Sequence, residues 1–154
     1  MTEQYQQNDI NRAVFHTEQA FVNAPGGALV SPGRFIFGVT GVGDLAVDPT
    51  VGQFIRNFGV GGRMVKVYFQ NRSALVAGDM TITLTATPPP GPQRTIFSAT
   101  FQAGPGVGSR FLFALPDEGQ FVNDEDLEWS FSFAPPIPTS GVFTMRPFYM
   151  LNEA

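Results

Sequence analysis

Cysteine is absent from the 154 residues, which removes disulfides, thiolate metal sites, iron–sulfur clusters and cysteine nucleophiles together. Histidine occurs once, at His16, and lysine once, at Lys66. A hydrolytic triad needs a nucleophile, a base and an orienting acid, and no Gly-x-Ser-x-Gly elbow accompanies His16. We therefore read His16 as structural and expect neither catalytic residues nor a cofactor; the chain is not read as an enzyme. Charged residues are scarce at 14%, so disorder through charge excess is excluded. No apolar run approaches the ~20 residues that cross a bilayer. The stretch Met1–Gln7 has neither a basic nor an apolar segment, so no signal peptide and a soluble chain are expected. No basic stripe is visible, which argues against nucleic acid as a partner, and no membrane partner is expected.

What the chain has in excess is backbone punctuation. Seventeen Gly and thirteen Pro cannot sit inside long helices, so a helical bundle is excluded. The dominant period is two. Met80–Thr87 alternates apolar residues with threonine, and Leu127, Trp129, Phe131 and Phe133 line one face of a strand with Glu128, Ser130 and Ser132 opposite. Val65, Val67 and Phe69 face away from Lys66, Tyr68 and Gln70 in a third. Further strands are expected at Ala13–Val22, Arg34–Thr40, Thr95–Gln102, Arg110–Leu115 and Gly141–Leu151, with Gly52–Phe58 equally suited to a short helical turn. Breaker clusters at 24–27, 59–62, 88–92, 104–108 and 135–138 separate these runs. The reading is an all-β fold: a single-domain antiparallel β-sandwich over 13–154, jelly-roll-like, with eight or nine strands. Residues 1–12, polar, rich in Gln and Asn and without apolar alternation, read as an N-terminal arm, either a frayed tail or a segment lying on a neighbouring subunit.

Three compositional features bear on function. Eight of the nine basic residues are Arg, which reads equally as genome composition or as a preference for the residue that docks with least loss of water and freedom. Sixteen Phe against three Tyr and one Trp are more than a small monomer core comfortably needs, so some rings are expected between subunits, the alternative being an unusually large aromatic core. Six of the thirteen acids fall within 117–128. Asp117, Glu118, Asp124 and Asp126 are the acids a cation would use there, but Asn123–Asp126 run consecutively instead of alternating as Ca²⁺ ligands do. The stretch reads better as a solvated loop or as a docking surface for a partner's Arg residues, and no metal is expected. Interface candidates are Tyr5 and Arg12 in the arm, Pro89, Pro90 and Arg94 around the Pro-rich turn, and Asp124, Glu125 and Asp126 in the acidic stretch. The Gly-rich segments 41–44 and 104–109 lack the residues of a dinucleotide or phosphate loop and read as connections.

In its arm at 1–12, its strands Met80–Thr87 and Leu127–Phe133 and its terminal strand Gly141–Leu151, the chain resembles small all-β structural proteins of bacteriophage and virus particles: single jelly-roll capsid subunits and capsid decoration or cement proteins. That resemblance implies a non-enzymatic virion protein acting through subunit contacts. Its partners would be further copies of itself, a trimer before other stoichiometries, or other capsid proteins. An alternative is a trimeric receptor- or carbohydrate-binding β-sandwich head using the loops at one end, with Ca²⁺ at 117–128.

Overall fold

The structure, a computed structural model, describes residues 14–17, 20–24, 33–37, 55–71, 78–102, 109–136 and 141–152. The described residues form twelve strand segments and no helix: β1 (Val14–Thr17), β2 (Ala20–Ala24), β3 (Gly33–Arg34), β4 (Ile36–Phe37), β5 (Ile55–Arg56), β6 (Gly62–Asn71), β7 (Asp79–Thr87), β8 (Arg94–Gln102), β9 (Ser109–Phe113), β10 (Gln120–Phe121), β11 (Asp126–Phe133) and β12 (Gly141–Leu151). Four of these are two residues long, and β6, β7, β8, β9, β11 and β12 stand where periodicity placed six of the expected strands.

All pairings are antiparallel, in two sheets. In sheet A, β6 lies between β12 and the pair β9 and β10, while β12 carries β1 and β2 on its other side. Sheet B runs β3–β11–β7–β8, with β5 also on β11. The chain changes sheet at every step from β2 to β7, and again on going from β8 to β9, β10 to β11 and β11 to β12, and only β7–β8 is a hairpin within sheet B. This alternation is the jelly-roll wrap, in which hairpins fold over one another to give two packed sheets.

The core lies between the sheets. β7 contributes Met80, Ile82, Leu84 and Ala86, and β11 contributes Leu127, Trp129, Phe131 and Phe133. Sheet A answers with Met64, Val67 and Phe69 from β6 and Phe143, Met145 and Tyr149 from β12. Rings meet across the gap: Phe69 and Phe101 are edge-to-face at 4.6 Å between centroids, and Phe133 and Phe143 lie 5.4 Å apart. At the centre the Trp129 Nε1–H donates to the Tyr149 hydroxyl at 2.7 Å, with both side chains fully buried. That bond joins the sheets and satisfies a donor that could not reach water.

The structure departs from the periodicity reading at three places. First, the expected strand Ala13–Val22 is divided into β1 and β2, each paired with β12. Second, the expected strand 34–40 is divided at Phe35, because β3 pairs with β11 in sheet B and β4 with β2 in sheet A. Phe35 is the corner residue, buried and edge-on to Phe131 at 5.2 Å. Third, the inward residues of β6 are Met64, Val67 and Phe69 rather than Val65, Val67 and Phe69. Pairing with β12 shifts between Phe148 and Tyr149, leaving Val65 without a register partner there, and this bulge moves the alternation by one residue. β12 has the expected bounds Gly141–Leu151; within this central strand lies Pro147, which has no N–H to donate. It stands beside the bulge, where β1 pairing ends at Phe148 and β2 pairing begins at Met145.

The N-terminal arm and its candidates Tyr5 and Arg12 lie outside the described residues. His16 is described in its backbone, which pairs with Tyr149 across β1 and β12.

Candidate functional site

The interface candidates of the acidic stretch serve different purposes. Glu125 is turned inward, 3% exposed, and grips the one basic residue that sequence reading placed at an interface beside the Pro-rich turn. Arg94 Nη2 donates to Glu125 Oε1 at 2.6 Å and Nε to Oε2 at 3.1 Å, a two-pronged match of guanidinium and carboxylate. The Val122 N–H donates to the same carboxylate at 2.8 Å, and Arg94 Nη2 also reaches the Gln120 carbonyl at 3.2 Å. The hydrogen bond from Arg94 is the largest influence holding the Glu125 carboxyl below its ordinary range, against a burial that pushes it up. Arg94 and Glu125 thus meet within one chain, pinning the 120–125 loop to the start of β8.

Around this clamp the other acids diverge. Glu118 accepts from the Leu115 N–H at 3.2 Å, and Asp126 accepts from Asn57 Nδ2 at 2.9 Å. Asp124 is exposed at a tight turn, with φ of 67°, and Asp117 is exposed. Among the described residues no three carboxylate or imidazole groups come together to hold a metal ion, so the structure does not gather Asp117, Glu118, Asp124 and Asp126 into a cation site. Pro89 and Pro90 are exposed at the β7–β8 turn.

The feature that single-residue reasoning missed is the outer face of sheet A. On β9 the alternate residues Phe111 and Phe113 point outward and stay 52% and 68% exposed, and Leu115 follows at 62%. Register places Phe111 beside Tyr68 and Phe113 beside Lys66 on β6, and then Arg146 and Phe148 on β12. The rings touch: Tyr68 and Phe111 are 4.9 Å apart and Phe111 and Phe113 are 6.4 Å apart. Lys66 Nζ lies 4.7 Å from the Phe148 ring centre and 5.5 Å from that of Phe111, so the only lysine covers part of the strip as a cation on π-faces. Tyr68 hydroxyl shares a 2.8 Å hydrogen bond with Ser109 Oγ, closing the strip at one end. Eight of the sixteen Phe are buried in the core, and this strip holds three more.

Such an arrangement offers no reacting group. It offers apolar area on an edge strand, since among the described residues β9 pairs only with β6. Exposed apolar edge strands attract further strands or surfaces, and stable proteins cover them. A signal for this was present in the sequence: Arg110–Leu115 is apolar on both faces, with Phe111 and Phe113 on one and Leu112 on the other.

No family model matches the chain, and the search of curated proteins found no match. Several solved structures align with most of it at low identity. The globular domain of zebrafish complement 1qA protein is 14% identical over 86% of this chain and 94% of its own, with a TM-score of 0.43. Murine APRIL is 13% identical over 86% of this chain and 98% of its own, with a TM-score of 0.44. A chain of turnip yellow mosaic virus is 10% identical over 92% of this chain and 94% of its own, with a TM-score of 0.35. The jelly-roll assignment rests on the chain's own strand order.

Proposed function

We propose that this chain is a non-catalytic assembly subunit, a virion capsid or capsid decoration protein that works through subunit contacts. The observation that carries the reading is the strip of Tyr68, Phe111, Phe113 and Phe148 on the outer face of sheet A. A fully buried Phe or Leu is worth about 1.5–3 kcal/mol, so Phe111 and Phe113, each more than half exposed, retain about 2–3 kcal/mol that only a partner can recover. The excess of Phe over Tyr and Trp suits a permanent contact better than a sugar platform, which uses rings with polar handles. Trp129 and Tyr149, which a binding head would present beside its acids, are instead buried in the core. The expected partner is a further copy, with a closed ring of three the favoured form.

Light scattering on the untagged chain from micromolar to millimolar concentration tests this. The expected result is a species at a multiple of 16.7 kDa whose share grows with concentration. A 16.7 kDa monomer throughout would remove self-association.

A further inference from the structure

We infer that the aromatic face of sheet A is covered by the 115–124 loop of a second copy of this chain, an assignment that rests on the self-association proposed above. Four of the five large apolar side chains left exposed among the described residues fall in just these two places: Phe111 and Phe113 on the face, Leu115 and Val122 on the loop. Their rims have opposite sign. The face is edged by Lys66 and Arg146, and the outward positions of β6, β9 and β12 carry no carboxylate. The loop is edged by Asp117, Glu118 and Asp124. None of these five charges forms an ion pair with another described residue, whereas Arg34 is paired with Glu128 and Arg94 with Glu125.

The Arg94–Glu125 clamp gives the loop a fixed shape, so its apolar tips are presented without the cost of ordering a mobile segment. A polyanion such as nucleic acid fits the cations and rings but not the whole chain, whose net charge is −4 and whose acids lie directly after β9. The contact joins two unlike patches. A two-fold pair uses both at once, and a closed ring uses each patch once per copy.

Charge reversal on the full chain, read by light scattering, tests the assignment. The face variant is Lys66→Glu with Arg146→Glu, the loop variant Asp117→Lys with Glu118→Lys, and the third chain carries all four. Each half variant is expected to associate at least about tenfold more weakly than the parent, because like charges then oppose. The fourfold variant is expected to return to within about threefold of it, since each rim meets its complement again. Circular dichroism melts accompany every variant; if Lys66→Glu lowers the fold's melting point, Arg146→Glu alone replaces the face pair. A parent that associates while the fourfold variant stays dissociated, or half variants that associate like the parent, overturn this contact and leave self-association standing. A parent that is monomeric at millimolar concentration overturns both. Binding of a labelled 20-nucleotide poly(dT) strand that the face variant abolishes assigns the face to nucleic acid and overturns the inference.

Discussion

The two outer faces of this sandwich are built from strands of similar length and the same antiparallel pairing, yet they present opposite chemistry. On sheet B, Thr81 and Thr100 share a 2.8 Å hydrogen bond, Thr83 and Ser98 lie at 3.4 Å, and Ser130, Ser132 and Glu128 continue the polar rows on β11. Gln93 Nε2 donates to Thr85 Oγ1 at 2.9 Å, and Arg34 pairs with Glu128 at 3.4 Å. On sheet A the corresponding positions carry Tyr68, Phe111, Phe113 and Phe148. The difference separates what folds the chain from what the chain offers: alternation of apolar and hydroxyl residues is enough for a solvated sheet, so rings on the outside of the other sheet need a different cause.

The largest effect that would sharpen this contrast comes from the aromatic side. Phe111→Ser with Phe113→Ser is expected to weaken association at least about hundredfold, near 3 kcal/mol, with little change in melting temperature. Light scattering and a thermal melt on the same sample check both halves of that statement. Thr81→Asp with Thr100→Lys on sheet B, measured alongside, should leave association untouched; a comparable loss there would erase the distinction between the faces.

Next in size is the clamp between the sheets' ends. Arg94→Ala leaves the Glu125 carboxylate buried without its cation and is expected to cost about 2 kcal/mol, less than the ~3–5 of a wholly buried pair because Arg94 is half exposed. Urea unfolding measures it. In the parent chain the Glu125 carboxyl is held below its ordinary value, so the clamp's contribution is complete above the ordinary glutamate range, about pH 4.3, and disappears as pH falls through the lower folded value. Arg94→Ala should therefore lose most of its cost in strong acid, and a cost independent of pH would contradict the pairing.

Smaller still is the bond that ties the faces together from within. Tyr149→Phe strands the Trp129 N–H and is expected to cost about 1–2 kcal/mol, a fall of roughly 2–8 °C for a chain of this size, with association unchanged. The smallest effect belongs to the hydroxyl rows: Thr83→Val should change stability by less than about 0.5 kcal/mol, because the 3.4 Å contact it removes is long and solvated.

The same contrast explains how far residue patterns carry. β7 and β11 were legible within a residue because one face of each is buried and the other wet, the condition under which a period of two is clean. The division of 33–37 between sheets was not legible, since the corner at Phe35 is set by which sheet each neighbour joins, a tertiary choice. The displacement of Val65 depends on a bulge opposite Phe148 and Tyr149, more than eighty residues on. At the site, charge density marked 117–128 but could not tell that Glu125 faces inward, because its partner Arg94 lies 31 residues away. The aromatic face was half legible: the count of Phe indicated rings outside the core, and the doubly apolar pattern of β9 located them once β6 was known as its neighbour.

Amide hydrogen exchange on the edge strands β8 and β9, at dilute and at high concentration, tests the central claim most directly. If the outer face of sheet A is where copies meet, β9 and the facing residues of β6 gain protection as concentration rises while β8 does not. Equal gains on both edges, or a gain confined to β8, would contradict it.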